Sequence, residues 1–159
     1  MGKAGRRIAR MDVLMKTLTA AFIICVTGVA SPVQSQVAPR DTLPAAVVQR
    51  FVDGANARSL DAMMATVAAQ AVFGALPDNG KNTVGRDSVR AQYARVLSRL
   101  PAGYTVTVAS RIVDGAFVTD FELFSNADGT PAGRATWVYY VAGGQIQRAW
   151  VLRPPRPPQ

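Results

Sequence analysis

Histidine is missing altogether, and cysteine occurs once, at Cys25. The first absence excludes the common zinc sites and every triad or dyad that needs an imidazole. The second excludes an intrachain disulfide, so the fold must rest on its core. Carboxylates are scarce, with 10 Asp and Glu against 18 Lys and Arg and a formal net charge of +8. No apolar run reaches the roughly 20 residues of a membrane-spanning helix. Basic clusters interleaved with aromatics are also lacking after residue 36, which gives no support to nucleic-acid binding.

What is present begins with a targeting pattern. Lys3, Arg6, Arg7, Arg10 and Lys16 precede the apolar run "LTAAFIICVTGVA", and small residues follow at "GVAS". This is the layout of a signal peptide over residues 1–36, with cleavage between about 30 and 36, and it implies export to the periplasm or beyond the cell. Met11 or Met15 would also serve as a start. Bulky Ile24 before Cys25 argues against lipid attachment. With that segment removed, half of the +8 charge goes with it. The 159-residue length leaves room for one domain with a modest core.

Residues 37–43 read as a linker and 44–153 as the domain. Pro44 suits a first helical turn, with Thr42 or Asp41 as cap. Val47, Val48, Phe51, Val52 and Ala55 recur at helical spacing. Ser59 is an N-cap for a second helix whose stripe is Leu60, Met63, Met64 and Val67. A short strand "AQAVFGAL" and the polar turn "PDNGKNT" follow. A third helix after Gly85 sets Val89, Tyr93, Val96, Leu97 and Leu100 against an arginine stripe at 86, 90, 95 and 99, read as a solvated face. Four strand-like segments then run to residue 153, joined by "DG" at 114–115, "NADGTPAG" and "GG" at 143–144. Residues 154–159 form a proline-rich tail. The order predicts an α+β fold, about three helices packed on a curved, mostly antiparallel sheet.

The second meander strand alternates Phe117, Thr119, Phe121 and Leu123 with Val118, Asp120, Glu122 and Phe124. Period two puts one set inside. The first set reads as the inner face, and the paired carboxylates Asp120 and Glu122 are expected on an outer, solvated or dimer-forming surface.

The stretches "AVVQRFVDGANARSLDAM", "AVFGALP", "VGRDSVRAQY" and "GGQIQRAW" resemble the nuclear transport factor 2-like superfamily, whose cone-shaped fold includes SnoaL-like polyketide cyclases and ketosteroid isomerases. The resemblance spans residues 44–153. It implies neither metal nor nucleotide cofactor. In the isomerases a first-helix tyrosine and a protonated strand aspartate stabilise an oxyanion, while an aspartate before a proline moves the proton. Those roles fall here on Phe51, on or next to Trp137, and on Leu76, all apolar, so the isomerase mechanism is not expected.

A SnoaL-like cyclase would need one carboxylate in the cavity. Asp53, Asp61, Asp114 and Asp128 sit in exposed patterns, which leaves Asp78, two residues beyond Leu76, as a weak candidate that also suits a plain turn. The expectation is therefore an apolar pocket for a small hydrophobic ligand. Its wall would be Phe51, Val72, Leu76, Tyr93, Phe117, Thr119, Phe121 and Trp137, with Tyr104, Tyr139, Thr119 or Tyr93 orienting the ligand. The alternatives are a cofactor-independent cyclase, isomerase or hydratase, and a homodimeric module joined through an outer sheet face bearing Tyr140 and Phe124. A carboxylate of raised pKa inside the cavity would favour the enzyme.

Overall fold

A computed structural model describes residues 40–77 and 80–152. The signal segment, the first three residues of the linker, Asp78 and the proline-rich tail lie outside the described residues. Arg40–Thr42 make one 3-10 turn, and helix α1 follows over Pro44–Asn56 with Pro44 at its start. Leu43, not Thr42 or Asp41, occupies the N-cap, and it makes no side-chain cap hydrogen bond. The proline ring presets φ for the first turn, so this start needs less help from a cap.

Helix α2 spans Leu60–Ala65, and Ser59 caps it as the sequence predicts, its hydroxyl accepting from the Ala62 amide at 3.2 Å. The chain turns sharply between α1 and α2, with Arg58 at a φ of 54°. Gly54 permits the close approach of the two helices: a Cβ there would lie 2.9 Å from both Met63 Cγ and the Met63 amide nitrogen. Strand β1 (Val67–Leu76) and the two-residue β2 (Thr83–Val84) come next, then α3 over Arg86–Arg99. The meander is β3 (Thr105–Asp114), β4 (Phe117–Ser125), β5 (Pro131–Ala142) and β6 (Gln145–Leu152).

The six strands form one curved, unclosed sheet in the order β2-β1-β6-β5-β4-β3. Every pairing is antiparallel except β1 with β6, which are separated along the chain by β2, α3 and the first three strands of the meander. The helices cover the concave face. Val47, Val48 and Phe51 of α1, Met63 and Met64 of α2 and Val89 of α3 pack there against Phe73, Val118, Tyr139 and Ile146. Each fully buried side chain of this kind contributes about 1.5–3 kcal/mol. The methionine pair is core, as its spacing predicts.

The arginine stripe of α3 is less uniform than a solvated face. Arg86 donates from Nε to the Val67 carbonyl at 2.8 Å, fixing the start of α3 to β1. Arg90 pairs with exposed Asp61 at 2.6 Å.

The phase of β4 is opposite to the expected one. Asp120 is 0% exposed and Glu122 4%, beside buried Val118, whereas Phe117 is 46% exposed and Leu123 41%. The registers Val118 with Tyr139 and Asp120 with Trp137 place Val118, Asp120, Glu122 and Phe124 on the concave side. Both sets of side chains on β4 suit a pleated surface by hydrophobicity alone. On the concave side Arg111 of β3 pairs with Asp120 and also reaches Ala45 and Gln49 of α1, so the buried carboxylate is satisfied there.

Candidate functional site

A cavity of about 210 Å³ opens between the concave sheet, α1 and α3. Phe51, Val52 and Ala55 of α1 form one side and Tyr93, Val96, Leu97 and Leu100 of α3 another. The floor comes from the sheet: Val106 of β3, Glu122 and Phe124 of β4, Trp137 and Tyr139 of β5, with Tyr104 just before β3. These residues arrive at one place for local reasons. Positions 51, 52 and 55 share a face of α1, and positions 93, 96, 97 and 100 recur at intervals of three and four on or just past α3. On the sheet, parity puts Glu122, Phe124, Trp137 and Tyr139 on the same side.

The wall is aromatic and mutually braced. Phe51 meets Tyr93 edge-on at 5.3 Å between ring centroids and Tyr139 at 6.3 Å. Trp137 stacks on Tyr139 at 6.0 Å, and Tyr104 lies 5.9 Å from Phe124. Such pairs fix ring orientation beyond the effect of burial.

Two tethers from the end of α1 hold the rim. The Asn56 amide donates to the Val106 carbonyl at 2.9 Å and accepts from the Val106 amide at 2.7 Å. Arg58 donates to the carbonyls of Leu97 at 3.3 Å, of Leu100 at 2.8 Å and of Pro101, capping the free carbonyls at the end of α3.

Polar chemistry is concentrated at one point of the floor. Asp120 is held by Arg111 through two parallel bonds, Nε to Oδ1 at 2.6 Å and Nη2 to Oδ2 at 2.7 Å. The remaining Arg111 nitrogen donates to the Ala45 carbonyl and to Gln49 Oε1, each at 3.1 Å. This paired geometry is the strong form of a charge-assisted bond, and Asp120 in turn raises the Arg111 pKa.

Glu122, two residues along the strand, has no such partner. Among the described residues its carboxylate takes one hydrogen bond, from the Tyr139 hydroxyl at 3.3 Å. Burial, reinforced by the charge of Asp120, pushes its pKa up to about 7, against the opposing effects of Tyr139 and Arg111. Burial, then the charge of Glu122, also raises the Tyr93, Tyr104 and Tyr139 hydroxyls, which therefore stay protonated as donors.

Of the wall expected from sequence, Phe51, Tyr93 and Trp137 line this cavity, and so do Tyr104 and Tyr139. Val72 and Leu76 do not. They alternate on β1 with buried Ala71, Phe73 and Ala75 and so face the convex side. Phe117, Thr119 and Phe121 are on the convex side of β4, where Phe117 packs on Tyr140 at 5.1 Å. Phe124 moves the other way, from the expected outer face into the cavity.

Asp53 accepts from Gln49, Asp61 pairs with Arg90, and exposed Asp128 accepts from Thr130; none of the three lines the cavity. The cavity carboxylate that sequence reasoning misassigned is Glu122. The register that sets Arg111 opposite Asp120 comes from a turn at Gly115 and Ala116, one residue later than the "DG" at 114–115, which as a two-residue loop would set Arg111 opposite Val118. Among the described residues, no three of Asp, Glu and Cys come together as a metal site.

The sequence profile of the SnoaL-like domain matches residues 48–149. A search among curated proteins found no match. Solved structures share the fold. A proposed polyketide cyclase from Sinorhizobium meliloti is 22% identical with a TM-score of 0.55, over 66% of this chain and 92% of that one. A proposed ketosteroid isomerase from Kribbella flavida is 19% identical with a TM-score of 0.54, over 73% and 82%. A cystatin-fold protein from Novosphingobium aromaticivorans reaches a TM-score of 0.60 at 17% identity, over 69% and 97%.

Proposed function

The chain belongs to the SnoaL-like domain family, and within that family we propose that it is an exported proton-transfer enzyme acting on a small, largely apolar substrate, with Glu122 as its acid and base. The observation that carries this reading is Glu122 itself, 4% exposed on the floor of an aromatic cavity with its pKa at about 7. A proton-transfer group works best when its pKa lies near the operating pH, because both protonation states are then populated.

In this reading the ionised Glu122 carboxylate takes a proton from a carbon next to a carbonyl. The C–H electron pair moves through the carbon–carbon bond and leaves the charge on the carbonyl oxygen. The protonated hydroxyls of Tyr93, Tyr104 and Tyr139 are the donors available to that oxygen. Glu122 then returns the proton to a different carbon, which isomerises the substrate, or to an alkoxide formed when the enolate closes on a second carbonyl. The carboxylate comes from β4, so the apolar residues Phe51, Leu76 and Trp137 at the ketosteroid isomerase positions are no obstacle to it.

A convenient probe is 3-cyclohexen-1-one, a one-ring ketone whose conversion to the conjugated 2-cyclohexen-1-one is followed by absorbance. Exchange of its α-protons in D2O is followed by NMR. The protein should accelerate one or both, with a rate that rises as pH passes through about 7, and Glu122→Gln should abolish the acceleration. A native protein no faster than buffer, or a rate untouched in E122Q, refutes the proposal.

The convex face favours a second element of the proposal, a homodimer. Ile112 is 68% exposed there, near the Phe117–Tyr140 pair, and an apolar patch of this kind suits a self-association surface.

A further inference from the structure

Two carboxylates, Asp120 and Glu122, are buried on the concave face, and one guanidinium serves them. Arg111 is used up: Nε and Nη2 are on Asp120, and Nη1 is on Ala45 and Gln49. Among the described residues, no lysine or arginine lines the cavity. A carboxylate withdrawn from water needs a proton or a cation beside it, since an isolated buried charge costs several kcal/mol. Among the described residues, Glu122 has no cation of its own, and burial favours its protonated form.

The cavity that contains this carboxylate is lined by the rings of Phe51, Tyr93, Tyr104, Phe124, Trp137 and Tyr139. Aromatic faces around one carboxylate attract an organic cation, whose charge the ring quadrupoles stabilise while its hydrocarbon surface is buried.

We infer that this cavity binds a small apolar ammonium ion, a one-ring amine or quaternary ammonium compound, with its nitrogen against Glu122 and its hydrocarbon body among the aromatic rings. Size agrees: the cavity is about 210 Å³, and an engineered cavity of about 150 Å³ takes benzene, so one ring with a compact substituent fits. The inference concerns what the cavity binds, and it stands whether or not Glu122 turns over a substrate.

The groups facing Glu122 set the pH dependence. They are Asp120 on its own strand, Arg111 on β3, Tyr139 on β5, Tyr93 on α3 and Tyr104 before β3. From α1 the lining is Phe51, Val52 and Ala55, none of which titrates. Glu122 is therefore the group that changes charge near neutrality.

The test compares benzyltrimethylammonium with neopentylbenzene, which has the same shape and no charge, by tryptophan fluorescence titration of the native protein, since Trp137 lines the cavity. At pH 8 the cation should bind at least tenfold more tightly than the hydrocarbon. Its affinity should fall about tenfold between pH 8 and pH 6, following ionisation of a carboxyl at about 7, while the hydrocarbon shows no such loss. In E122Q the preference for the cation and its pH dependence should both vanish. The native pH comparison decides the matter even if that variant does not fold. Equal or tighter binding of neopentylbenzene at pH 8, or no binding of the cation, overturns the inference.

Discussion

Replacing Glu122 by glutamine should stabilise the protein relative to the native chain, increasingly so as pH rises from 4.5 to 7. The carboxyl titrates near 4.5 when solvated and at about 7 in the fold. A group whose pKa is raised by folding holds its proton more tightly in the native state. Its contribution is complete below 4.5, where both states are protonated, and is lost progressively as pH climbs to about 7. The displacement of about 2.5 pH units, at about 1.36 kcal/mol each, amounts to about 3 kcal/mol.

Glutamine keeps the shape of the protonated acid, accepts the Tyr139 hydroxyl equally well, and does not titrate. The stability difference between E122Q and the native protein should therefore widen by about 3 kcal/mol between pH 4.5 and 7 and stay level above. Urea unfolding of both proteins at pH 4.5, 6, 7 and 8 measures it. With a slope of about 2 kcal/mol per molar urea, the gap between midpoints grows by about 1.5 M. Titrating groups that do not interact with Glu122 cancel in the comparison. Parallel pH dependences would refute the placement of a buried, unpaired carboxylate in the cavity floor.

Two further perturbations probe the frame. Arg111→Met strands Asp120 as a buried, unpaired charge and should cost about 3–5 kcal/mol in urea unfolding at pH 7; the double variant R111M/D120L should recover most of that loss. Gly54→Ala would stabilise an ordinary helix position by about 1 kcal/mol. Here the new Cβ meets Met63 at 2.9 Å, so a thermal melt should instead show a loss of about 1–3 kcal/mol.

The helices and hairpins were legible in the sequence because their signals are local. The 3.6-residue spacing of Val47, Val48, Phe51 and Val52, the Ser59 cap and the "DG" and "GG" turns each act within a few residues. Strand β2 was missed because two residues carry no periodicity. The orientation of β4 is a different kind of information. Both of its faces carry aromatic or β-branched residues, so hydrophobicity does not separate them, and the carboxylates pointed the expectation outward. The deciding facts are a partner on another strand, Arg111, and a cavity that leaves Glu122 room. On β1 the same reversal put Val72 and Leu76 outside, since Phe73 and Ala75 take the parallel pairing with Ala149 and Val151 on the buried side. Asp78 lies outside the described residues, and the cavity has its carboxylate without it.

An unclosed sheet has two free margins, and strands of foreign chains can add to such margins. One margin here is β2, only two residues long. The other is β3, where the outward amide and carbonyl of Val106 are both taken by Asn56. Asn56 thus imitates one residue of a seventh strand, contributed by a helix. Arg111 lies further along the same strand and points a buried charge inward, another recognised obstacle to strand addition. The residues that close the rim and hold Asp120 thus also stand against strand addition at two points of this edge.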